Sequence, residues 1–497
     1  MLPADIVCFI YLKCVHFNMR YSLFTFFLLL IVSGYAQKPN IIYILADDLG
    51  IGDVRTFNPA SRIQTPSIDA LAAEGMRFTD AHSNSSVCTP TRYGILTGRY
   101  AWRTRLQNGV LWSYDPPLIP RGRETVASLL KAAGYQTACI GKWHLGLGWT
   151  YDANGNPDFS RPITEGPLQL GFDQFFGMSA SLDIPPYVFI NGNKITAARI
   201  DTIAEQKGKG FWRTGPVGND FRHAEVLDTF MQRSIQFIQE ASRKPEPFFL
   251  YLALTSPHTP ILPVDSFQNS TETNAYGDFV RMTDHRVGQL VQALRATGAD
   301  KNTLIIFTSD NGCSPSAGLA ELKQKGHDPS AGFRGAKADV YEGGHRVPFI
   351  VRWPAIVKPG SRNDATICLT DFFATCADIL NISLSDSSGE DSFSLLPLLK
   401  GSGPKKFSRP STVHHSIDGN FAIRKRDWKL ALSRGSGGWS APTEKQAEKE
   451  GLPGKQLFNL KTDKAEQTNL ASRYPEIVAD LEQELERIKK EGRSRKM

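Results

Sequence analysis

The segment Ile41–Ala46, which reads IIYILA, gives the strongest indication of the fold. It is a continuous apolar run rich in β-branched residues, which is typical of a strand buried on both faces. It ends in Asp47-Asp48, so two carboxylates follow the carboxyl end of the strand. A strand of this kind predicts an α/β protein in which helices cover both faces of a mostly parallel sheet.

The chain around this segment alternates between strand-like and helix-like stretches, which supports the same fold class. Phe248–Leu254 (FFLYLAL) is a second buried strand, and several apolar helical stretches end at glycine. The predicted strands are Ile41–Ala46, Gln136–Ile140, Phe248–Leu254, Thr303–Phe307 and Val347–Val351, and the predicted helices are Thr65–Glu74, Glu124–Ala133, His223–Ala241 and Tyr276–Thr297.

Residues 398–410 (LLKGSGPKKFSRP) contain glycine, proline and lysine without periodicity, and they indicate a domain boundary. We therefore expect a large domain over residues 37–397 and a small α+β domain over 398–497. The small domain should hold an antiparallel sheet and a closing helix. Its predicted strands are Ser411–Ser416, Asn420–Arg424, Asp427–Ser433 and Leu457–Leu460, and its helix is Pro475–Lys490.

The first 36 residues resemble a secretory signal peptide and are set apart from the fold. Tyr21–Val32 is uncharged and apolar, Arg20 precedes it, and small residues lead to Ala36. About 20 apolar residues are needed to span a bilayer, so we expect no stable membrane span, although an uncleaved anchor remains the alternative. Met19 lies where such a peptide would begin, so residues 1–18 are interpreted as an over-extended start. We expect an exported protein, periplasmic or secreted.

Composition narrows the function classes without naming one. With 497 residues, 41% hydrophobic and 22% charged, the chain is neither disordered, collagen-like nor a coiled coil. A net charge of +7 suits anionic partners, but no basic-aromatic motif points to nucleic acid. Five cysteines remain behind the leader, and an odd number suggests that one thiol has another role. Cys368 and Cys376 are expected in one helix about 12 Å apart, too far to form a disulfide.

Polar residues follow the predicted strands at the edge where open α/β sheets bind ligands. Cys88 opens a further segment, CTPTR, in which proline is a helix-start signal. The thiol would then lie at a helix N-terminus, which favours anions, with Arg92 on the same helix face. A structural cysteine beside a surface arginine is the alternative that these residues alone leave open.

Together the motifs resemble type I sulfatases of the alkaline-phosphatase-like superfamily, including exported bacterial polysaccharide sulfatases. Residues 88–92 match the family's C-x-P-x-R signature, whose cysteine is oxidised to Cα-formylglycine by a formylglycine-generating enzyme. The other matching segments follow in the family's order over about residues 37–375. They are Ala46–Gly50, Gly141–Gly146, Ser256–His258, Thr308–Gly312, Phe333–Lys337 and Glu342–Pro348.

The resemblance implies a complete set of site residues. Asp47, Asp48, Asp310 and Asn311, together with residue 88, would bind a hard cation, Ca²⁺ or alternatively Mg²⁺. The hydrated formylglycine at position 88 would attack sulfur, and its second hydroxyl would allow sulfate to be expelled. The remaining predicted catalytic residues are Arg92, Lys142 and Lys337 as charge-stabilising groups, His258 as the acid and His144 as the base.

The substrate is predicted more loosely, from loops that differ between relatives. Cations with interleaved aromatics suit a sulfated carbohydrate of ulvan, carrageenan or glycosaminoglycan type. The candidate substrate-binding residues are Ser181, Arg213, Arg222 and His327. His345 and Arg346 are predicted to be structural. The alternatives are a phosphatase or phosphonate monoester hydrolase of the same superfamily, and a non-catalytic glycan-binding relative.

Overall fold

The computed structural model describes residues 38–401, 407 and 409–495. In it, the strand that contains Ile41–Ala46 lies near the centre of a ten-stranded sheet. Its central strands are parallel, and antiparallel strands flank them on both sides. Across the sheet the order is β13 (Ser361–Asn363), β2 (Met76–Phe78), β12 (Phe349–Arg352), β11 (Thr303–Ser309), β1 (Asn40–Asp47), β10 (Phe248–Pro257), β4 (Gln136–Lys142), β5 (Gln174–Met178), β6 (Ile190–Asn191) and β7 (Lys194–Ile195).

Strand β1 is buried on both faces, as its composition predicts. Ile41, Tyr43 and Leu45 belong to one hydrophobic core, and the alternate residues of the strand belong to a second core on the other face. Tyr43 packs on Phe372, with ring centroids 4.6 Å apart. Because strand side chains alternate between faces, a wholly apolar strand requires helices on both sides.

The described helices of this part of the chain are α1 to α9. Four of them, α1, α3, α4 and α5, had predicted bounds, and the observed bounds agree with these to within three residues. The long helix predicted from His223 begins at Val226, after one 3₁₀ turn at His223–Glu225. The helices are α1 (Pro66–Ala73), α2 (Cys88–Thr97), α3 (Val126–Ala132), α4 (Val226–Ala241), α5 (Ala275–Ala296), α6 (Leu319–Gln324), α7 (Glu342–His345), α8 (Asp371–Ile379) and α9 (Leu396–Leu399).

Two local predictions need correction. The strand predicted at Val347–Val351 is observed as β12, but it begins at Phe349 and runs antiparallel to β11. The helical placement of Cys368 was wrong, because this residue lies in the short strand β14 (Ile367–Cys368), which pairs with β3 (Ala81–His82). Each of the five cysteines in the described chain is nevertheless free, so the expectation of no disulfide framework is confirmed there.

A small antiparallel sheet follows, with the closing helix packed on it. Val413, Ile423 and Leu430 share a buried cluster with Leu481 and Leu485 of that helix. The predicted small α+β unit is thus observed, while the boundary at residue 398 stays a prediction. Its elements are β15 (Thr412–His415), β16 (Phe421–Lys425), β17 (Trp428–Ala431), α10 (Glu444–Lys449), β18 (Gln456–Asn459) and α11 (Pro475–Lys490).

The remaining described strands, β8 (Ile200–Ile203) and β9 (Gly215–Gly218), form a hairpin in the loop region before α4. The predicted signal peptide at residues 1–36 lies outside the described residues. Among those that are described, no helix combines the length and the apolar character needed to cross a membrane.

Candidate active site

The carboxylates that follow β1 and β11 meet at one edge of the sheet. Both strands are parallel neighbours, so Asp47-Asp48 and Asp310-Asn311 arrive side by side. The backbone N–H of Asp48 donates to Asp310 Oδ1 at 3.2 Å, and Asn311 Nδ2 donates to Asp48 Oδ1 at 2.7 Å. Asp48 has a φ of 65°, the left-handed region that costs free energy for a non-glycine residue. These bonds hold it in that conformation.

Helix α2 brings Cys88 and Arg92 to the same edge. Its first residue is Cys88, which is buried at the N-terminus as predicted. Arg92, one turn later, donates from Nη2 to Asp310 Oδ2 at 2.7 Å and from Nη1 to the Lys142 carbonyl at 3.1 Å. Burial raises the pKa of the Cys88 thiol, against the lowering effect of Lys142 and Lys337.

Two buried lysines complete the positive side of the site. Lys142 Nζ lies 2.7 Å from Asp47 Oδ2, and Lys337 Nζ lies 2.6 Å from Asp48 Oδ1. Burial alone would lower the pKa of Lys337, but the Asp48 carboxylate raises it above its usual value. Both lysines therefore pair with carboxylates, and both are close enough to Cys88 for their charges to act on the pKa of its thiol.

His144 is held with one ring nitrogen available as an acceptor. Its Nε2 lies 2.9 Å from the carbonyl of Leu111, which can only accept, so Nε2 carries the proton. Its Nδ1 is buried without a hydrogen-bond partner among the described residues. Burial, with the charges of Lys142 and Arg92, lowers the pKa of His144 well below its usual value. The ring is therefore a neutral base near neutral pH.

His258 follows the end of β10 and faces the same carboxylates. Its Nε2 lies 3.6 Å from Asp48 Oδ2 and 3.2 Å from Ser181 Oγ. Ser181 Oγ also accepts from Lys142 Nζ at 3.3 Å. The structure thus brings Ser181 between two predicted catalytic residues, although its sequence signal was weak.

The carboxylate cluster suits a hard cation. Among the described residues, Asp47 Oδ1 and Asn311 Oδ1 are buried without a hydrogen bond, and Arg92 Nη2 lies 3.6 Å from Asp47 Oδ1. Burial and the neighbouring Asp47 raise the pKa of Asp310, while the nearby cations, Lys142 above all, overcome the effect of burial and lower the pKa of Asp47. An oxygen-only set of this kind fits Ca²⁺ or Mg²⁺.

Comparison with known proteins decides the family, because the family model for sulfatases matches residues 39–382. The chain belongs to the sulfatase family. This sulfatase is 34% identical to the N-acetylgalactosamine-6-O-sulfatase of Bacteroides thetaiotaomicron, over 91% of its own length and 94% of the relative's. Sulfuric ester hydrolysis is therefore its activity, and the phosphatase and non-catalytic alternatives are not supported.

Two solved structures resemble this sulfatase over nearly its whole length. A sulfatase from a study of glycosaminoglycan metabolism by B. thetaiotaomicron superposes with a TM-score of 0.82, at 33% identity over 92% of this chain and all of the other. A protein solved in complex with a neocarrahexaose gives a TM-score of 0.70, at 25% identity over 92% and 94% of the two chains. Both structures therefore share the fold of this sulfatase.

The other three predicted substrate-binding residues, Arg213, Arg222 and His327, differ in where they lie. Arg213 lies near the site, where its Nη1 donates to the Asp183 carbonyl at 3.1 Å. Arg222 is exposed and donates to backbone carbonyls of its own loop. His327 is buried, with Nε2 2.7 Å from Asp53 Oδ1. A ring packed in the interior cannot contact a sugar, so the buried position of His327 contradicts the substrate role predicted for it.

Several residues near the site escaped sequence reasoning. Asp183 lies two residues after Ser181 and pairs with Arg213, a contact that only the folded loop creates. Tyr276 donates to the Asp48 carbonyl at 3.2 Å and also bonds Asp53. In the sequence, the apolar periodicity of α5 places Tyr276 among core residues, and only its hydroxyl distinguishes it from them.

Proposed function

We propose that this sulfatase is an exported, formylglycine-dependent enzyme that removes a 6-O-sulfate from N-acetylgalactosamine in a glycosaminoglycan oligosaccharide. The mechanism rests above all on the buried Cys88 at the N-terminus of α2, close enough to Lys142 and Lys337 for their charges to act on the pKa of its thiol. The substrate proposal rests on the N-acetylgalactosamine-6-O-sulfatase relative, with its near-complete coverage.

The state of Cys88 favours a modified nucleophile. The thiolate is the reactive form of cysteine, and burial raises the pKa of this thiol, so an unmodified Cys88 would react poorly. The hydrated aldehyde of formylglycine supplies one hydroxyl for attack and a second through which sulfate can leave. We therefore infer that a formylglycine-generating enzyme acts on the chain before it is active.

The cation, for which we propose Ca²⁺ with Mg²⁺ as the alternative, would be held by Asp47, Asp48, Asp310, Asn311 and residue 88. When bound, it supplies a Lewis acid that polarises a sulfate oxygen. The two orphaned oxygens of Asp47 and Asn311 support this assignment.

The positive groups of the chain have a clear electrostatic task. Transfer of a sulfuryl group places negative charge on its outer oxygens, and fixed cations in a buried site stabilise that charge strongly. Lys142 and Lys337 are oriented by Asp47 and Asp48, and Arg92 by Asp310. Their geometry is therefore set before substrate binds, which removes a reorganisation cost.

The two histidines can divide the proton transfers. His258 lies beside Ser181, and Ser181 is two residues before Asp183, the partner of Arg213, so we assign to His258 the protonation of the departing sugar oxygen. His144 has a fixed tautomer with Nδ1 free of protein partners among the described residues, which suits it to take a proton from residue 88. A poor leaving group such as a sugar alkoxide needs this acid far more than a nitrophenolate does.

A panel of defined substrates tests the proposed function. The mature enzyme is incubated with N-acetylgalactosamine 6-sulfate, its 4-sulfate isomer, a 6-sulfated carrageenan-type disaccharide and 4-nitrophenyl phosphate, and free sulfate or phosphate is measured. We expect turnover of the 6-sulfated galactosamine to exceed that of the others. Preference for the 4-sulfate or the carrageenan disaccharide would overturn the substrate proposal and leave the sulfatase assignment standing.

A further inference from the structure

Trp112 is an exposed aromatic residue tied to the active site through its neighbour. It is 53% exposed, the highest value for a large hydrophobic side chain in the described part of the chain. The preceding residue, Leu111, accepts from His144 Nε2 at 2.9 Å and donates from its N–H to Thr89 Oγ1 at 3.2 Å. Thr89 follows Cys88 directly, so the backbone at Trp112 is fixed to both the predicted base and the nucleophile segment.

Arg213 packs over the ring of Trp112. Its guanidinium carbon lies 5.2 Å from the centroid of the Trp112 ring and 5.0 Å from that of Phe211. Its Nη1 bonds both the carbonyl and the carboxylate of Asp183. Asp183 lies two residues after Ser181, whose Oγ is 3.2 Å from Nε2 of the predicted acid His258. Burial alone would raise the pKa of Asp183, but the charges of His258 and Arg213 lower it.

The arginine keeps unused hydrogen-bonding capacity. Its side chain is 40% exposed. Within the described residues, neither Nε nor Nη2 of Arg213 donates a hydrogen bond, whereas Nη1 is fully engaged. A guanidinium anchored through one nitrogen presents the other edge to a ligand with little loss of side-chain freedom.

We propose that Trp112 and Arg213 form a platform that binds an anionic pyranose on the leaving-group side of the reaction. One face of the sugar stacks on the indole, and a second anionic substituent, a carboxylate or a further sulfate, pairs with Nε and Nη2 of Arg213. This inference rests on the proposed function, because it assumes a carbohydrate leaving group.

The physical reasons favour this ligand over a bare sulfate ester. An exposed indole held rigidly by a bonded backbone offers a large apolar face at low entropic cost. Asp183 neutralises part of the arginine charge, so a ligand anion is bound by geometry and not by net charge alone. The guanidinium carbon of Arg213 lies 5.2 Å from the centroid of the Trp112 ring. This pair therefore suits a sugar that has an apolar face and an acidic group at its edge.

Steady-state kinetics with three sugars tests the platform: N-acetylgalactosamine 6-sulfate, the same sugar carrying a neighbouring uronic acid, and the 4,6-disulfate. Trp112→Ala should lower kcat/KM for all three by about tenfold, with partial recovery in Trp112→Phe. Arg213→Met should also lower kcat/KM for the sugar whose second anion pairs with Arg213. That loss should be about tenfold larger than the loss for the monosulfated sugar. The uronate and disulfate arms identify that anion, and Arg213→Lys should recover part of the difference.

Two controls keep the result interpretable. The inhibition constant of inorganic sulfate reports the anion-binding groups alone, and Arg362→Met, which breaks an exposed pair with Asp364 at β13, is a matched arginine change on the far edge of the sheet. Trp112→Ala could weaken sulfate inhibition by the same factor as it lowers kcat/KM for the sugars, or Arg213→Met could lower kcat/KM equally for all three sugars. Either result would overturn the platform and leave the proposed substrate standing. A parent enzyme that hydrolyses 4-nitrophenyl sulfate but none of the sugars would overturn the proposed substrate together with the platform.

Discussion

Two buried polar clusters of this sulfatase both combine carboxylates with histidines, and they differ in how completely their atoms are paired. The first is the active-site edge built around Asp47, Asp48 and His144. The second, here called the histidine network, links β3 and α7 to the small antiparallel sheet and consists of His82, His345, His414, Glu342 and Lys429.

In the histidine network every histidine ring nitrogen has a hydrogen-bond partner, either within the network or in the residues around it. The Nδ1 atoms of His82 and His345 lie 3.0 Å apart, and His414 lies 2.8 Å from the Ser83 carbonyl. Lys429 Nζ lies 3.0 Å from His345 Nε2 and 3.1 Å from Glu342 Oε1.

The active-site edge, in contrast, keeps buried polar atoms that form no hydrogen bond with the described residues. Among the described residues, Asp47 Oδ1, Asn311 Oδ1 and His144 Nδ1 are buried without a hydrogen bond. Buried polar atoms in native proteins are almost always paired, so three such atoms in one place indicate groups kept for a ligand and a reaction. Pairing, more than residue type or burial, therefore separates a reactive cluster from a structural one.

The largest expected effect comes from the nucleophile position. Cys88→Ala should lower sulfatase activity by about 10⁴-fold or more, because the variant lacks the proposed nucleophile. Cys139→Ala, which removes another buried free thiol from β4, is the matched control and should retain activity with a modest loss of stability. Equal activity of the two variants would contradict the role of residue 88.

Metal removal should affect only the unpaired cluster. Dialysis against a chelator should lower activity by about 100-fold or more, because we assign the unpaired oxygens of Asp47 and Asn311 to the proposed cation. Added Ca²⁺ should restore the activity, and elemental analysis measures the bound metal. Full activity in protein shown to be free of metal would exclude the cation from the reaction.

The acid role of His258 depends on the leaving group. His258→Asn should lower kcat/KM for N-acetylgalactosamine 6-sulfate by about 10²–10³-fold and for 4-nitrophenyl sulfate much less, because nitrophenolate leaves without a proton. The exposed His285, changed to Asn, is the matched control. Equal losses for the two substrates would show that His258 does not protonate the leaving oxygen.

Breaking the paired cluster should cost stability instead of chemistry. Lys429→Met leaves Glu342 and Glu466 buried without their shared cation, and loss of one partner of a buried pair costs about 3–5 kcal/mol. Denaturant unfolding measures this loss, and kcat of the folded enzyme should fall less than in His258→Asn. A large loss of kcat at unchanged stability would place the histidine network in the reaction.

Sequence reasoning predicted the parts of the site that depend on strand ends. Asp47, Lys142 and His258 lie at or just after the ends of β1, β4 and β10, and neighbouring parallel strands bring their carboxyl ends to one edge. Register along a buried strand is set by its apolar residues, so these positions follow from local composition. The resemblance to sulfatases then related each residue to a role.

The rest could not be predicted because it depends on contacts between distant segments. Val347–Val351 has the composition of a strand, but nothing in that composition shows that β12 runs antiparallel to β11. The partner that fixes His144 is the Leu111 carbonyl, which carries no side-chain identity. His327 is a candidate sugar ligand in the sequence, and only its contact with Asp53 places it in the interior.

Peptide mass tests most directly whether residue 88 is converted into the nucleophile of an otherwise complete site. Trypsin should release residues 78–92 as one peptide, since Arg77 precedes it and Arg92 ends it. In an active preparation we predict a mass about 18 Da below that of the cysteine form, as conversion of the thiol to an aldehyde requires. Full activity with only unmodified Cys88 in that peptide would contradict a formylglycine nucleophile.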